Sequence, residues 1–335
     1  MASPSELGYH MPPEWAPHAR TWMMWPCRSE VWDDIEETRA DYTRVAHAIR
    51  NYEPVTMVVH PRDRSGAAAA LGADIELLEH PIDDSWARDA GPCFLQNASG
   101  DLAGASFRFN AWGEKYHPYD GDSSVSVAIL KAVDARVFSS DLVAEGGGIS
   151  VDGRGTVLTT QSCFPNPNRN PDWTEAEIGR ELERMLGVNK TIWLPGNVEE
   201  TETDGHVDGV AVFAAPGVVL IQDPGQPGGF WHEIHSANVA TMQDQVDATG
   251  TPMNLIPVPA ASSHVSGAEE FCDSYVNAYI CIGAVIVPRY GCPEDEIAEG
   301  ILSDVFAGRR IEMVDIGTIA LGGGGFHCIT QQQPS

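Results

Sequence analysis

Four stretches of this chain open in the same way, and that recurrence constrains the fold more than any single motif. Each begins with two strand-like runs around a tight turn: "GPCFLQNASGDLAGASFRF" (91–109), "GISVDGRGTVLTTQSCF" (148–164), "HVDGVAVFAAPGVVLIQ" (206–222) and "SYVNAYICIGAVIVPRYG" (274–291). A helical stretch follows each, near 123–133, 174–186, 230–245 and 293–306, and then one further strand. The openings lie 57, 58 and 68 residues apart. In the second unit Thr174 and Glu177 have the spacing of a capping box, which marks a helix start. The first ninety residues supply a looser fifth unit: strand "ARTWMMWP", an amphipathic helix over about 32–50, and strands "PVTMVVH" and "DIELLEHP". Units of this kind need neighbours to bury their apolar faces, and a closed ring supplies a neighbour to every one. The expectation is therefore an α/β ring of five hairpin–helix–strand units, with residues 1–335 as one domain. A doubly wound sheet with a dinucleotide site is set aside, because no glycine-rich turn links an early strand to a helix.

Composition narrows the partners. With 20 basic against 48 acidic residues, the net charge is −28, which argues against nucleic acid, whose phosphates need a basic footprint. Such a field attracts a small cation, although it also serves solubility or a salt-adapted surface. The most apolar run, "AYICIGAVIVP" (278–288), is too short to span a membrane, and the N-terminus does not read as a signal peptide. Seven cysteines without a CxxC pair or regular spacing predict reduced thiols, a cytoplasmic protein and no cysteine-held zinc.

If the units ring an axis, the segments joining them meet there. Those junctions carry "DDSWARDAGP" (83–92), "AEGGGIS" (144–150), "TETDGHVDG" (201–209) and "GGGGFHC" (322–328). They bring Asp84, Asp89, Glu145, His206, Asp208 and Cys328 toward one place. Singly, each has a plain structural explanation: a solvated turn, a bulge, one hydrogen bond between His206 and Asp208 on a shared strand face, or a small buried thiol. Together they suit a guanidinium substrate. Its planar fork of N–H donors is matched by paired carboxylates, and buried acids need a cation to compensate them. The guanidinium carbon then lies open to the Cys328 thiolate from above or below the plane. His206 would protonate departing ammonia and activate water to cleave the S-linked intermediate. A cysteine protease would use similar residues, but it needs no ring of acids.

The stretches "MPPEWAPHARTWMMWP" (11–26), "DDSWARDAGP", "FNAWGEKYHPYD" (109–120), "EGGGISVDGRGTVLTT" (145–160), "NPNRNP" (166–171), "TDGHVD" (203–208) and "GGGGFHCITQQQP" (322–334) resemble the agmatine deiminase family over nearly the whole chain. That resemblance implies the pentein fold, a five-bladed α/β-propeller. It implies hydrolysis of agmatine to N-carbamoylputrescine and ammonia through an amidino-cysteine on Cys328. It also implies that His206 is the general acid/base, that Asp89 and Asp208 grip the guanidinium, and that Glu145 orients His206.

The alternatives are deimination of free or peptidyl arginine or a guanidino acid, with Arg88 or Arg169 receiving a carboxylate, and amidino transfer to an amine. A non-catalytic ribosome-binding pentein is the rival outside the enzymes. Gly325 and Phe326 stand where the family usually has asparagine and a branched aliphatic residue, and the loop over 113–121 is short. Both departures bear on the substrate tail, for which Asp83, Asp84 and Glu14 are candidates. Trp86 and Trp112 are candidates to line the slot, with Gly325 at its edge. The glycine run is expected to let Cys328 move onto substrate. No metal or organic cofactor is implied, since the electrophile is the substrate's own carbon; a homodimer is the assembly the resemblance suggests.

Overall fold

The computed structural model describes residues 2–229, 231–262 and 271–335. Phe230, at the edge of the helix expected over 230–245, lies outside them. The strands form five small sheets. The first contains β1 (His18–Met24), β2 (Val55–Val59) and β3 (Glu76–Glu79). The second is β4 (Cys93–Gln96), β5 (Leu102–Arg108) and β6 (Arg136–Val143); the third is β7 (Ser150–Val151), β8 (Thr156–Thr160) and β9 (Lys190–Leu194). The fourth is β10 (Ala211–Ala215), β11 (Val218–Gln222) and β12 (Asn254–Val258), and the fifth is β13 (Tyr279–Cys281), β14 (Ala284–Arg289) and β15 (Arg310–Asp315).

In sheets two to five an antiparallel hairpin is followed by a helix and a parallel third strand, which is the recurring unit expected from the sequence. The first sheet gets its antiparallel partner from the other end of the chain: β16 (Gln331–Pro334) pairs with β1, Trp22 opposite Gln331 and Thr21 opposite Gln332. The fifth hairpin is therefore split between the two ends, and the ring closes on itself.

Alternation along the inner strands explains how the ring holds. Successive strand residues face opposite sides. In β1, Trp22 and Met24 join one apolar cluster while Met23 joins another. In β4, Phe94 faces the first sheet's side while Cys93 and Leu95 face the third's. Val157 and Leu158 of β8 divide likewise, as do Ala211 and Val212 of β10 and Ala284 and Val285 of β14. Five clusters result, each shared by two neighbouring sheets.

The helices seal the outer ends of these cores. Helix Glu175–Leu186 has the expected capping box, with the Thr174 hydroxyl accepting from the Glu177 N–H and the Glu177 carboxylate accepting from the Thr174 N–H. It buries Ile178, Leu182, Met185 and Leu186 between sheets two and three. One expectation needs revision: the last unit's third strand, which the sequence predicts over "IEMVDIGTIAL" (311–321), stops at Asp315 and the chain turns into a 3-10 helix over Gly317–Gly322. The helix Arg64–Leu71 adds an element beyond those read from the sequence.

Candidate active site

The junctions do converge, and three of them do so as short helical turns: Ala87–Ala90, Gly146–Gly148 and Val207–Gly209. His206 and Asp208 thus lie in a turn, not on one strand face as expected. Tight turns bring backbone and side chains together that a strand would hold apart. Gly147 shows why that junction is glycine-rich. A Cβ there would stand 2.5 Å from His206 Nδ1 and 2.9 Å from Asp89 Oδ1, inside the space these groups share.

His206 is buried between two acids, with Nδ1 3.8 Å from Asp89 Oδ1 and Nε2 3.6 Å from Glu145 Oε2. Both gaps exceed hydrogen-bond length, so the ring is held by charge and packing. Burial works against charge on the imidazole, yet Asp89, Cys163 and Glu145 hold its pKa well above the ordinary histidine value. Asp89 accepts the Gly147 N–H and the Trp112 indole N–H, each at 2.9 Å, and burial raises its pKa. Glu145 accepts Arg169 Nε at 2.8 Å; burial opposes its charge, but that guanidinium keeps the carboxyl below its usual range. Glu145, Cys163 and His206 offer donor atoms within 4.8 Å of one another, a spacing a metal could use. The Arg169 guanidinium already holds Glu145 and opposes a second cation there.

Cys328 Sγ lies 3.5 Å from Asp208 Oδ2 and 3.2 Å from Asn277 Nδ2. Burial, then Asp208 and Asp89, push the thiol well above its ordinary pKa, so it is protonated while no cation is present. Asp208 is fixed from behind by a residue the sequence reading passed over. His327 Nδ1 is 2.8 Å from Asp208 Oδ2, and its Nε2 is 2.7 Å from Glu14 Oε1. Burial and Arg88 oppose charge on His327, but the two carboxylates raise its pKa. Burial also opposes charge on Asp208, and the hydrogen bond from His327 keeps the carboxyl below its usual range. Arg88 Nη1 reaches Glu14 at 3.5 Å, completing a buried row of alternating charges behind the thiol.

In front of Cys328 an aromatic slot is lined by Trp32, Trp86, Trp112 and Tyr116, with Asp84, Asp89 and Glu202 among them. Trp86 stacks on Trp32 with ring centroids 5.8 Å apart. Trp112 sits in left-handed backbone at φ 55°, a strained conformation that carries its N–H onto Asp89. Tyr116, from the short loop over 113–121, donates to Glu202 at 2.7 Å.

Asp84, Trp86 and Trp112 therefore lie where expected, and Gly325 does not. Gly322, Gly323 and Gly324 line the slot, whereas a Cβ on Gly325 would run into Asn277. Gly324 packs against the Trp86 ring as tightly, so the structure explains this run by close approach. Phe326 is core, not rim. Of the three tail candidates only Asp84 lines the slot; Glu14 is tied to His327, and Asp83 accepts the Gly121 N–H. Arg88 and Arg169 are likewise buried in pairs with Glu14, Glu145 and Asp204.

Three comparisons match this geometry. Residues 10–334 match the Porphyromonas-type peptidyl-arginine deiminase family. The agmatine deiminase of Pseudomonas fluorescens is 38% identical over 100% of this chain and 98% of its own, and that of Stutzerimonas stutzeri is 39% identical over the same shares. The solved structure of Enterococcus faecalis agmatine deiminase superimposes with a TM-score of 0.97 at 31% identity, covering 100% of this chain and 98% of that one. A solved pentein-type structure, DDAH from Pseudomonas aeruginosa, shares the fold at 14% identity and a TM-score of 0.53. The chain belongs to the agmatine deiminase family and is a guanidine-modifying hydrolase of the five-bladed α/β-propeller fold.

Proposed function

We propose that the enzyme hydrolyses agmatine to N-carbamoylputrescine and ammonia, with Cys328 as nucleophile and His206 as general acid/base. The observation that carries the substrate is the charge of the slot. Asp84, Asp89 and Glu202 line it, and among its described residues there is no lysine, arginine or histidine. Arg28 stands behind Asp84 at 3.6 Å, and Asp89 and Glu202 add two further acids, so a terminal amine meets compensating charge where a substrate carboxylate would be repelled. Arg88 and Arg169, the candidates to receive a carboxylate, are engaged elsewhere. The names of the relatives point the same way.

In this reading Asp89 and Asp208 accept the guanidinium N–H groups. The bound cation removes the electrostatic penalty on the thiolate, so Cys328 ionises when substrate arrives and its proton leaves to solvent. Sulfur bonds to the guanidinium carbon, His206 gives its proton to the amino group, and the C–N bond breaks to release ammonia. Water then yields one proton to neutral His206 as its oxygen bonds to the same carbon, and the C–S bond breaks to return the thiolate while the remaining hydroxyl proton leaves to solvent. Glu145 and Asp89 keep the imidazole charged for the first step. Asp84 and Glu202 receive the amine tail between the tryptophans. All five sheets feed this one centre, supporting the reading of residues 1–335 as a single catalytic unit.

All seven cysteines are unpaired, which supports a cytoplasmic setting; among the described residues no helix is long and apolar enough to cross a membrane. A homodimer rests on the family resemblance, and sizing by light scattering checks it. Ammonia release across agmatine, free arginine, a C-terminal arginine peptide and guanidinobutyrate tests the substrate. Turnover of agmatine far above the rest is expected, and preference for a carboxylate-bearing guanidine would overturn the assignment.

A further inference from the structure

A second hollow reaches Cys328 from another direction. Thr203, Gly323 and Cys328 belong to both walls and partition it from the aromatic slot. The slot draws Asp84, Trp86, Asp89 and Trp112 from around the first two sheets. The hollow draws Gly209 and Gln222 from the fourth sheet's surroundings, and Ser274 and Asn277 from the junction before the fifth. It runs from Glu199 and Thr201, which are exposed, to His206 and Asp208, which are buried.

Its wall gathers buried polar atoms without a protein partner: Gln222 Nε2, His235 Nδ1 and both ring nitrogens of His206. These residues are only 2%, 9% and 3% exposed. An unpaired buried polar atom costs about 1–3 kcal/mol, a penalty that water entering the hollow would relieve. His206, Gln222 and His235 all line the hollow and not the slot. Burial holds His235 down at about 4, so it is neutral at ordinary pH and does not repel ammonium.

We propose that this hollow is the conduit for water and ammonia, open to Cys328 and His206 while substrate fills the slot. The proposal rests on the hydrolysis described above. Once the guanidinium is seated, the substrate's own carbon chain occupies the slot. The amino group expelled near His206 needs another way out, and the water that replaces it needs another way in. The hollow touches the acid/base, the thiol and the surface, and the acidic Glu199 at its outer end suits departing ammonium.

Gly209 gives the test. It lines the hollow, its φ is not left-handed, and an added Cβ would meet nothing within 4 Å. Gly209→Ala, →Val and →Leu therefore narrow the conduit in steps. The expected result is a stepwise fall in kcat for agmatine, about tenfold or more for leucine, with KM not raised. Mass spectrometry of acid-quenched enzyme should find more of the S-linked adduct on Cys328, because attack needs only the slot while its hydrolysis needs water from the hollow. Ser274→Leu, from another wall, should act in the same direction, and carries the test should Gly209→Leu fail to fold. A flat series, or slower adduct formation without accumulation, would overturn the conduit. If the native enzyme itself fails to release ammonia from agmatine, the functional reading is the one at fault.

Discussion

The five cores between sheets and the centre they surround are made by the same repeated unit under opposite physical rules. In the cores, Val, Ile, Leu and Phe alternate along strands buried on both faces, and any residue of similar size and polarity fills the position nearly as well. At the centre, Glu14, Asp89, Glu145 and Asp208 are buried with Arg88, Arg169, His206 and His327. Each of these charges is tolerable only through its partner. A core position contributes through volume, a central one through identity and geometry. The difference teaches that stability and activity should separate cleanly by region.

The sharpest contrast is Cys328→Ser. Turnover should fall by at least about a thousandfold while the melting temperature shifts by little, because a buried neutral thiol is exchanged for a smaller neutral hydroxyl. Residual activity near native would break the assignment. The converse is Leu182→Ala, in the core between sheets two and three, which should cost about 2–5 kcal/mol in urea unfolding. Whatever remains folded should keep its kcat and KM, and a changed KM would show that core and centre are coupled.

Glu14→Gln probes the boundary between the regions, for Glu14 does not line the slot and meets the site through His327 and Arg88. With one carboxylate gone, kcat/KM should drop about tenfold to a hundredfold. The raised pKa of His327 means its protonated form stabilises the site fully below the ordinary histidine value and is lost as pH rises through the folded value. In Glu14→Gln that loss should begin at lower pH, so the activity profile narrows on its alkaline side; an unshifted limb would exclude the relay.

The smallest effect concerns a charge that lacks good compensation. Burial, then Asp84, push Asp122 up to about 7, and burial pushes Asp84 up to about 6 against the pull of Arg28. A raised carboxyl keeps its proton in the fold when the unfolded chain has lost it, so this pair lowers stability as pH rises from about 4 to 7. Asp122→Asn should therefore be more stable than the native protein at pH 7 and almost indistinguishable from it at pH 4. Equal gains at both would refute the titration.

Legibility from sequence follows the same division. The cores were readable because short apolar runs bounded by turns, such as that of β14, mark strands buried on both faces, and the capping box at Thr174 announced its helix. β16 was not, since "QQQP" has no alternation and owes its strand form to β1 alone. The junction logic found Asp89, Glu145, His206, Asp208 and Cys328. Applied to the fifth junction, near 274, it would also have flagged Asn277, whose side chain touches the thiol. Glu14 was legible only as a tail candidate and His327 not at all, because their contact exists only where residues 313 apart in sequence meet. Glu202 was hidden by the acidic excess of its neighbourhood, in which no single acid stands out.

The split first sheet also bears on how the enzyme is born. As the ribosome extends the chain, four hairpins and their helices can assemble in turn, but β1 waits for a partner that is translated more than three hundred residues later. Cys328 emerges three residues before that partner. A nascent chain thus carries the central acids and His206 well before Cys328, and the thiol is delivered in the same stroke that closes the ring. A chain that stops at residue 325 lacks both Cys328 and β16, and its first sheet is left without an antiparallel strand.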